Sequence, residues 1–176
     1  MQNPPEFDFG QGTNQLFTLV ISSLDSNYNP ETRETIHYGI SNINTIQNSS
    51  DTWCKYLPPI PAKGSGYHRL VANVYHQKEK IEVSHLTKIE KDNLIGRNFS
   101  SETFLKSHQD NITPSAFSFV QGNIIQLILT TYFNTVRWDE SVRHVFHEVL
   151  NMPEPVFEYE HKEVFPIVRP EGFVSI

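Results

Sequence analysis

Apolar residues fall in short runs along this chain, divided by stretches rich in Asn, Ser and Pro. Residues 16–22 (LFTLVIS) are strand formers in a run of the length of one buried strand. Residues 35–43 alternate, with Ile36, Tyr38 and Ile40 on one side and His37, Gly39 and Ser41 on the other. That period predicts a half-buried strand with His37 on the face away from the aliphatics. A third strand is expected over 68–77, where Val71, Val74 and Tyr75 carry the apolar signal. Residues 100–109 read as a short helix, with Ser100 as its cap, Glu102 in its first turn, and Phe104 and Leu105 behind. Beyond Pro114, residues 116–121 (AFSFVQ) begin another strand.

The strongest helical signal lies at 139–151. Val142, Val145, Phe146, Val149 and Leu150 form one stripe, Asp139 is placed to cap it, and Pro153 stops it. Residues 155–160 (PVFEYE) alternate like a final edge strand, while 23–30 and 44–52 read as loops and 78–92 is charged and weakly patterned. Repeats and heptads are absent from the sequence. Strands joined by proline-rich connections, with two short helices, predict a mainly β domain with peripheral helices.

The 176 residues suit a single domain, 1–176, large enough for a core without staples. A net charge of −6 and an isoelectric point near 5.7 exclude a broad phosphate-wrapping surface, because no basic stripe is present. Cys54 is the single cysteine, so an internal disulfide is excluded. The longest apolar run is too short to span a bilayer. The opening MQNPPEFD is acidic and proline-rich, unlike a signal or transit peptide.

Candidate chemistry centres on residues 56–77. Pro58, Pro59 and Pro61 stiffen an arm that can be neither central strand nor helix interior. Gly64 and Gly66 then form a pivot able to take positive φ, and the strand after it begins with His68 and Arg69. His37 and His68 are candidates for anion ligands or for an acid–base pair. Asp25 is the only acid nearby and no nucleophile has a suitable spacing, so no enzyme is expected. His144 and His147 stand three apart on the predicted helix, but without an HExxH pattern they read as a solvated face rather than a metal site. Cys54 beside Lys55 reads as a plain thiol. Trp53, Tyr56 and Tyr67 flank the pivot as core packing or as protein contacts.

The run Gly64-Ser65-Gly66-Tyr67-His68-Arg69 before an apolar strand resembles the G-x-G-x-H-R segment of the phosphatidylethanolamine-binding protein (PEBP) family. Leu16-Phe17-Thr18-Leu19, Ile36-His37-Tyr38, Phe117-Ser118-Phe119-Val120-Gln121 and Arg137-Trp138-Asp139-Glu140 resemble further family motifs, so the likeness covers nearly the whole chain. Residues 56–66 and 152–158 (MPEPVFE) are most similar to the branch found in the large subunit of the mitochondrial ribosome. The resemblance implies a PEBP-like β-sandwich with a C-terminal amphipathic helix and a tail over 153–176. It also implies that this chain begins downstream of the start of a longer protein. In some family members the pair matching Arg33-Glu34 is joined by a cis peptide.

Departures from the family shape the functional expectation. Its Asp-Pro-Asp-x-Pro anion loop is matched by Ser23-Leu24-Asp25-Ser26-Asn27, without the first Asp or either proline, and Leu70 replaces a tyrosine of the pocket. The resemblance therefore implies a vestigial anion pocket of His37, His68, Asp25, Ser23, Gly64 and Gly66. Neither cofactor, metal nor small-molecule substrate is implied. The implied role is a structural and interaction component of the mitochondrial large subunit, in the matrix, with neighbouring ribosomal proteins and limited rRNA as partners. The alternative is a free, regulatory binder of phospholipid head groups or other anions.

Residues 122–136 (GNIIQLILTTYFNTV) stand where the family has about one residue. They read either as a lineage-specific loop or as a translated retained intron, and an apolar, β-prone insertion favours the intron.

Overall fold

The computed structural model describes residues 3–9, 14–28, 31, 34–83, 89–90, 92–118, 124–126 and 134–156. Its strands are β1 (Glu6–Asp8), β2 (Leu16–Ser23), β3 (Thr35–Asn44), β4 (Ser49–Cys54), β5 (Tyr67–Gln77), β6 (Ile112–Ser118), β7 (Ile124–Gln126) and β8 (Asn134–Arg137). Helix α1 spans Ser101–Ser107, and α2 (Glu140–His144) continues as a π-helical turn over Val145–Val149. One antiparallel sheet has the order β4-β3-β2-β5-β6, with β8 also on β5, while β1 and β7 form a separate parallel pair. The architecture is mainly β with peripheral helices, as the apolar pattern predicts.

Alternation along β2 sends its side chains to two different layers. Val20 joins Ile36, Trp53, Tyr75 and Ile112 beneath Phe104 of α1. Phe17, Leu19 and Ile21 join Leu70, Ala72 and Val74 on the other face, where Phe7 and Phe9 pack. A third cluster sets Leu57 and Ile60 of the proline arm against Val142, Val145, Phe146 and Leu150 of the α2 segment. Removing these aliphatic and aromatic surfaces from water supplies the main drive for assembly. The caps are as expected: Ser100 accepts from Thr103 N, and Asp139 accepts from Ser141 N and Val142 N.

The expected facing of 35–43 is corrected by a bulge. Ile21 pairs with Tyr38 while Ser22 pairs with Ile36, so one step on β2 spans two on β3 and His37 is the extra residue. A bulge re-aims the side chains on either side of it. Ile36 thus enters the layer under α1 while Tyr38 and Ile40 face the opposite one. His37 is itself buried, so the strand is not half-exposed. A second irregularity between Phe17 and Leu19 lies opposite Asn42, whose φ is +56°.

Of residues 44–52, expected as loop, 45–48 form a turn and 49–52 belong to β4 (Ser49–Cys54). This edge strand exposes Ser49, Ser50 and Thr52, and a polar edge gives no apolar alternation to read. Pro114 lies inside β6, at the register shift between Val74 and Tyr75, a position where a missing amide hydrogen is tolerated. The proline arm is not a surface turn, since Tyr56, Leu57, Ile60 and Ala62 are buried. Of the expected strand 155–160, Val156 bridges Lys63, and 157–160 lie outside the described residues. Arg33 lies outside them too, and with it the possible cis bond to Glu34.

β6 and β8 lie along one side of β5 in succession. Ala72 pairs with Ser118 and Leu70 with Asn134, so two steps on β5 correspond to sixteen along its neighbour, fourteen more than an uninterrupted strand needs. β7 lies in that extra length and pairs with β1.

Two close fits fix the sheet. A Cβ on Gly39 would lie 2.6 Å from the ring of Trp53, so the indole needs a glycine beneath it. Arg97 is fully buried, and its guanidinium donates to the carbonyls of Ile36 (3.0 Å), His37 (3.4 Å), Lys55 (2.9 Å) and Glu90 (3.0 Å), with Cys54 Sγ at 3.4 Å. Gly39→Ala is expected to lower the free energy of unfolding by about 1–3 kcal/mol through overpacking. Arg97→Met strands those carbonyls and is expected to cost about 3 kcal/mol. Urea titrations measure both, and a change under about 0.5 kcal/mol in either contradicts the packing described.

Candidate functional site

The six expected pocket residues do not converge on one cradle. His68 and Ser23 line a cavity with Ser26, Tyr28, Thr35 and the stretch Pro59-Ile60-Pro61. His37 lines an adjoining cavity with Pro5, Ile21, Tyr56, Pro59 and Leu70. Each holds about 10 Å³, at the threshold for a single water and below what a phosphate head group needs.

Asp25 turns to Arg69 instead of toward the histidines. Arg69 Nε and Nη2 donate to the carboxylate at 2.8 and 2.7 Å, and the Arg69 backbone N–H adds a third bond at 2.8 Å. Leu24 N–H donates to the Arg69 carbonyl at 2.9 Å, so the short loop after β2 is clamped on the start of β5. The hydrogen bonds from Arg69 hold the Asp25 carboxyl below its ordinary range. In a fork-on-fork pair both charges are matched, which leaves little attraction for an incoming anion.

The other polar groups are also engaged within the chain. Tyr28 Oη donates to the Ile60 carbonyl at 2.9 Å, and the Thr35 hydroxyl donates to Ser26 Oγ at 2.5 Å. Ser65 gives its one proton to the Ala62 carbonyl at 2.7 Å, so His68 Nε2 is the donor in its 2.7 Å contact with Ser65 Oγ. Gly64 and Gly66 take φ of +86° and +78°, the conformations that bring Ser65 back over His68. They serve the turn itself, and a Cβ on Gly66 would meet no atom within 4 Å.

His37 donates from Nδ1 to the Leu57 carbonyl at 3.1 Å, and its buried Nε2 has no partner among the described residues. Burial first, and the Arg97 cation second, push its pKa down to about 3. A neutral, buried imidazole holds no charge with which to bind phosphate.

The alternation did not bring out three residues that shape the site. Arg97 anchors the backbone on both sides of His37. Tyr28 lines the first cavity, and its ring lies 6.1 Å from that of Phe146, tilted by 51°. Glu34 is buried and accepts from the Ser22 hydroxyl (2.7 Å) and from Ser101 N (2.8 Å) and Oγ (2.5 Å), tying β2 to α1. Their one sequence signal is the placing of charged or aromatic residues beside turns. Among the expected contacts, Trp53 and Tyr56 are core and Tyr67 is 64% exposed. Cys54 is a buried thiol pushed up to about 11, first by burial. His144 and His147 are exposed on their helix.

The low pKa of His37 sets a pH dependence. Between its unfolded value near 6.5 and about 3, the unfolded chain binds a proton that the folded chain refuses, so stability falls on acidification. Urea unfolding from pH 7 to 5 is expected to show this slope, and His37→Phe to flatten it; equal slopes would contradict a buried neutral imidazole. Asp25 acts lower, its contribution being present above about pH 3.9 and lost as pH falls through its depressed folded pKa. Asp25→Asn is expected to cost at most about 1 kcal/mol at pH 7, because the clamp is partly exposed.

No family model matches the chain. Among solved structures it is similar to CG7054, determined in solution, with 24% identity and a TM-score of 0.53 over 74% of this chain and 67% of that one. It is also similar to carboxypeptidase Y inhibitor in complex with its cognate proteinase, with 22% identity, a TM-score of 0.47, and 64% and 61% of the two chains covered. A phosphatidylethanolamine-binding protein from Plasmodium vivax gives 21% identity and a TM-score of 0.48, covering 66% and 64%. The chain spans about two thirds of the length of these structures. At 24% identity the likeness to CG7054 concerns the fold alone.

Proposed function

We propose that this chain is a PEBP-like domain acting as a structural and interaction component of the mitochondrial large ribosomal subunit, in the manner of large-subunit protein thirty-eight. The observation that carries the non-binding part is the internal use of the pocket's polar groups around cavities of about 10 Å³. No catalytic step belongs to this reading. Its ribosomal part rests on the sequence resemblance of residues 56–66 and 152–158, whose described portions meet in space. Lys63 N–H donates to the Pro155 carbonyl at 3.3 Å, and Lys63 pairs with Val156. Beside them Trp138 Nε1 donates to Glu154 at 2.8 Å, Arg143 Nε to Glu154 at 3.1 Å, and Lys63 Nζ lies 4.5 Å from the Trp138 ring.

Val156 is 56% exposed, and Tyr67 follows the glycine pivot on the surface. Apolar and aromatic side chains on a braced turn suit contact with a neighbouring protein better than with rRNA, and a net charge of −6 agrees. The partners in this reading are neighbouring mitochondrial ribosomal proteins, with limited rRNA contact, in the matrix.

Tagged protein expressed in cells is expected to co-sediment with the large mitochondrial subunit, and the double variant Tyr67→Ser, Val156→Ser to be retained less. A pool found wholly free of the subunit would defeat the ribosomal reading.

A further inference from the structure

We infer that residues 3–9 form a strap that closes the chamber around His37, and that the pairing of β1 with β7 holds this strap down. The inference is independent of the ribosomal reading. Five of the six residues lining the chamber, Ile21, His37, Tyr56, Pro59 and Leu70, come from the sheet or the proline arm, and the sixth is Pro5. Past Pro5 the segment is pinned by aromatic contacts, with Phe9 5.5 Å from Phe17 and Phe7 6.2 Å from Phe9. Both rings pack on the sheet face that carries Ile21 and Leu70.

Among the described residues the strap shares no strand pairing with the main sheet. There β1 pairs only with β7, through Glu6↔Ile124, Phe7↔Ile125 and Asp8↔Gln126, and β7 lies in the extra length between β6 and β8. A two-stranded sheet of three residue pairs is marginal by itself. The strap therefore belongs to the part of the fold that opens locally, ahead of global unfolding. Closure also leaves His37 Nε2 buried without a partner among the described residues, whereas opening would let water reach it. With Nδ1 donating to Leu57, Nε2 carries the free lone pair, so an opened chamber presents a nucleophilic imidazole nitrogen.

Diethyl pyrocarbonate at pH 7 reads this directly, because it acylates unprotonated, accessible imidazole nitrogen. Peptide mass spectrometry follows each histidine in the full chain, in the Phe7→Ser, Phe9→Ser variant, and in a deletion of residues 119–132 that removes β7. His144 and His147, both exposed, serve as internal standards. In the full chain His37 is expected to react far more slowly than these two. In either variant its rate is expected to rise at least about tenfold, while His68, buried at the other cavity, keeps its full-chain rate. An unchanged His37 rate in both variants would overturn the inference. So would exposure of His37 and His68 in step, since that marks loss of the fold and not the lifting of a strap.

Discussion

The guanidinium of Arg97 lies in the interior, held by the carbonyl oxygens of Ile36, His37, Lys55 and Glu90, with no carboxylate bonded to it among the described residues. Taking a cation out of water costs several kcal/mol; the two Nη groups offset part of it through these carbonyls, while the buried Nε has no partner among the described residues. One residue therefore fixes β3, the chain leaving β4 and the segment at 89–90 around a single point. The same charge acts on the site. It lies beside the bulge at His37, where burial first and the Arg97 charge second keep that imidazole neutral. Of the two histidines expected to bind an anion, one is thus denied a charge chiefly by its burial, with the group that holds its strand adding to the effect.

The remaining groups are spent in a different way. Asp25 and Arg69 neutralise each other, Tyr28 and Ser26 bond to the proline arm and to Thr35, and His68 donates to Ser65. Each bond is modest in net energy, but each removes a donor or acceptor that a ligand would need. The turn after β2 and the arm over 56–66 thereby become one braced surface, joined on its far side by Pro155 and Val156 through Lys63. Tyr67 and Val156 stay exposed at the edge of this braced surface.

Much of this fold is legible in the sequence because burial writes a period into it. β2, β3, β5 and the stripe of the α2 segment all carry that signal, and Ser100 and Asp139 mark the helix starts. β4 is silent because its first four residues are polar and its buried pair, Trp53 and Cys54, comes only at its end, too short a signal to show a period. The bulge at His37 escapes notice since adding one residue to a strand preserves apparent alternation while exchanging its faces. Arg97 escapes because a buried cation is recognised by backbone carbonyls, which carry no residue identity. For the site, the motif around Gly64 and Gly66 brings out the pivot and His68, but the Asp25–Arg69 pairing spans 44 positions and depends on strand register alone.

Among the described residues, the cavities between β2, β5 and the proline arm are each about 10 Å³, too small for a phosphate head group. Calorimetric titration of the folded chain with phosphoethanolamine at pH 7 checks whether an anion nonetheless binds there. No saturable heat is expected at about 1 mM ligand, in the wild type or in His68→Ala. Saturable binding by the wild type that is lost in His68→Ala would contradict this expectation.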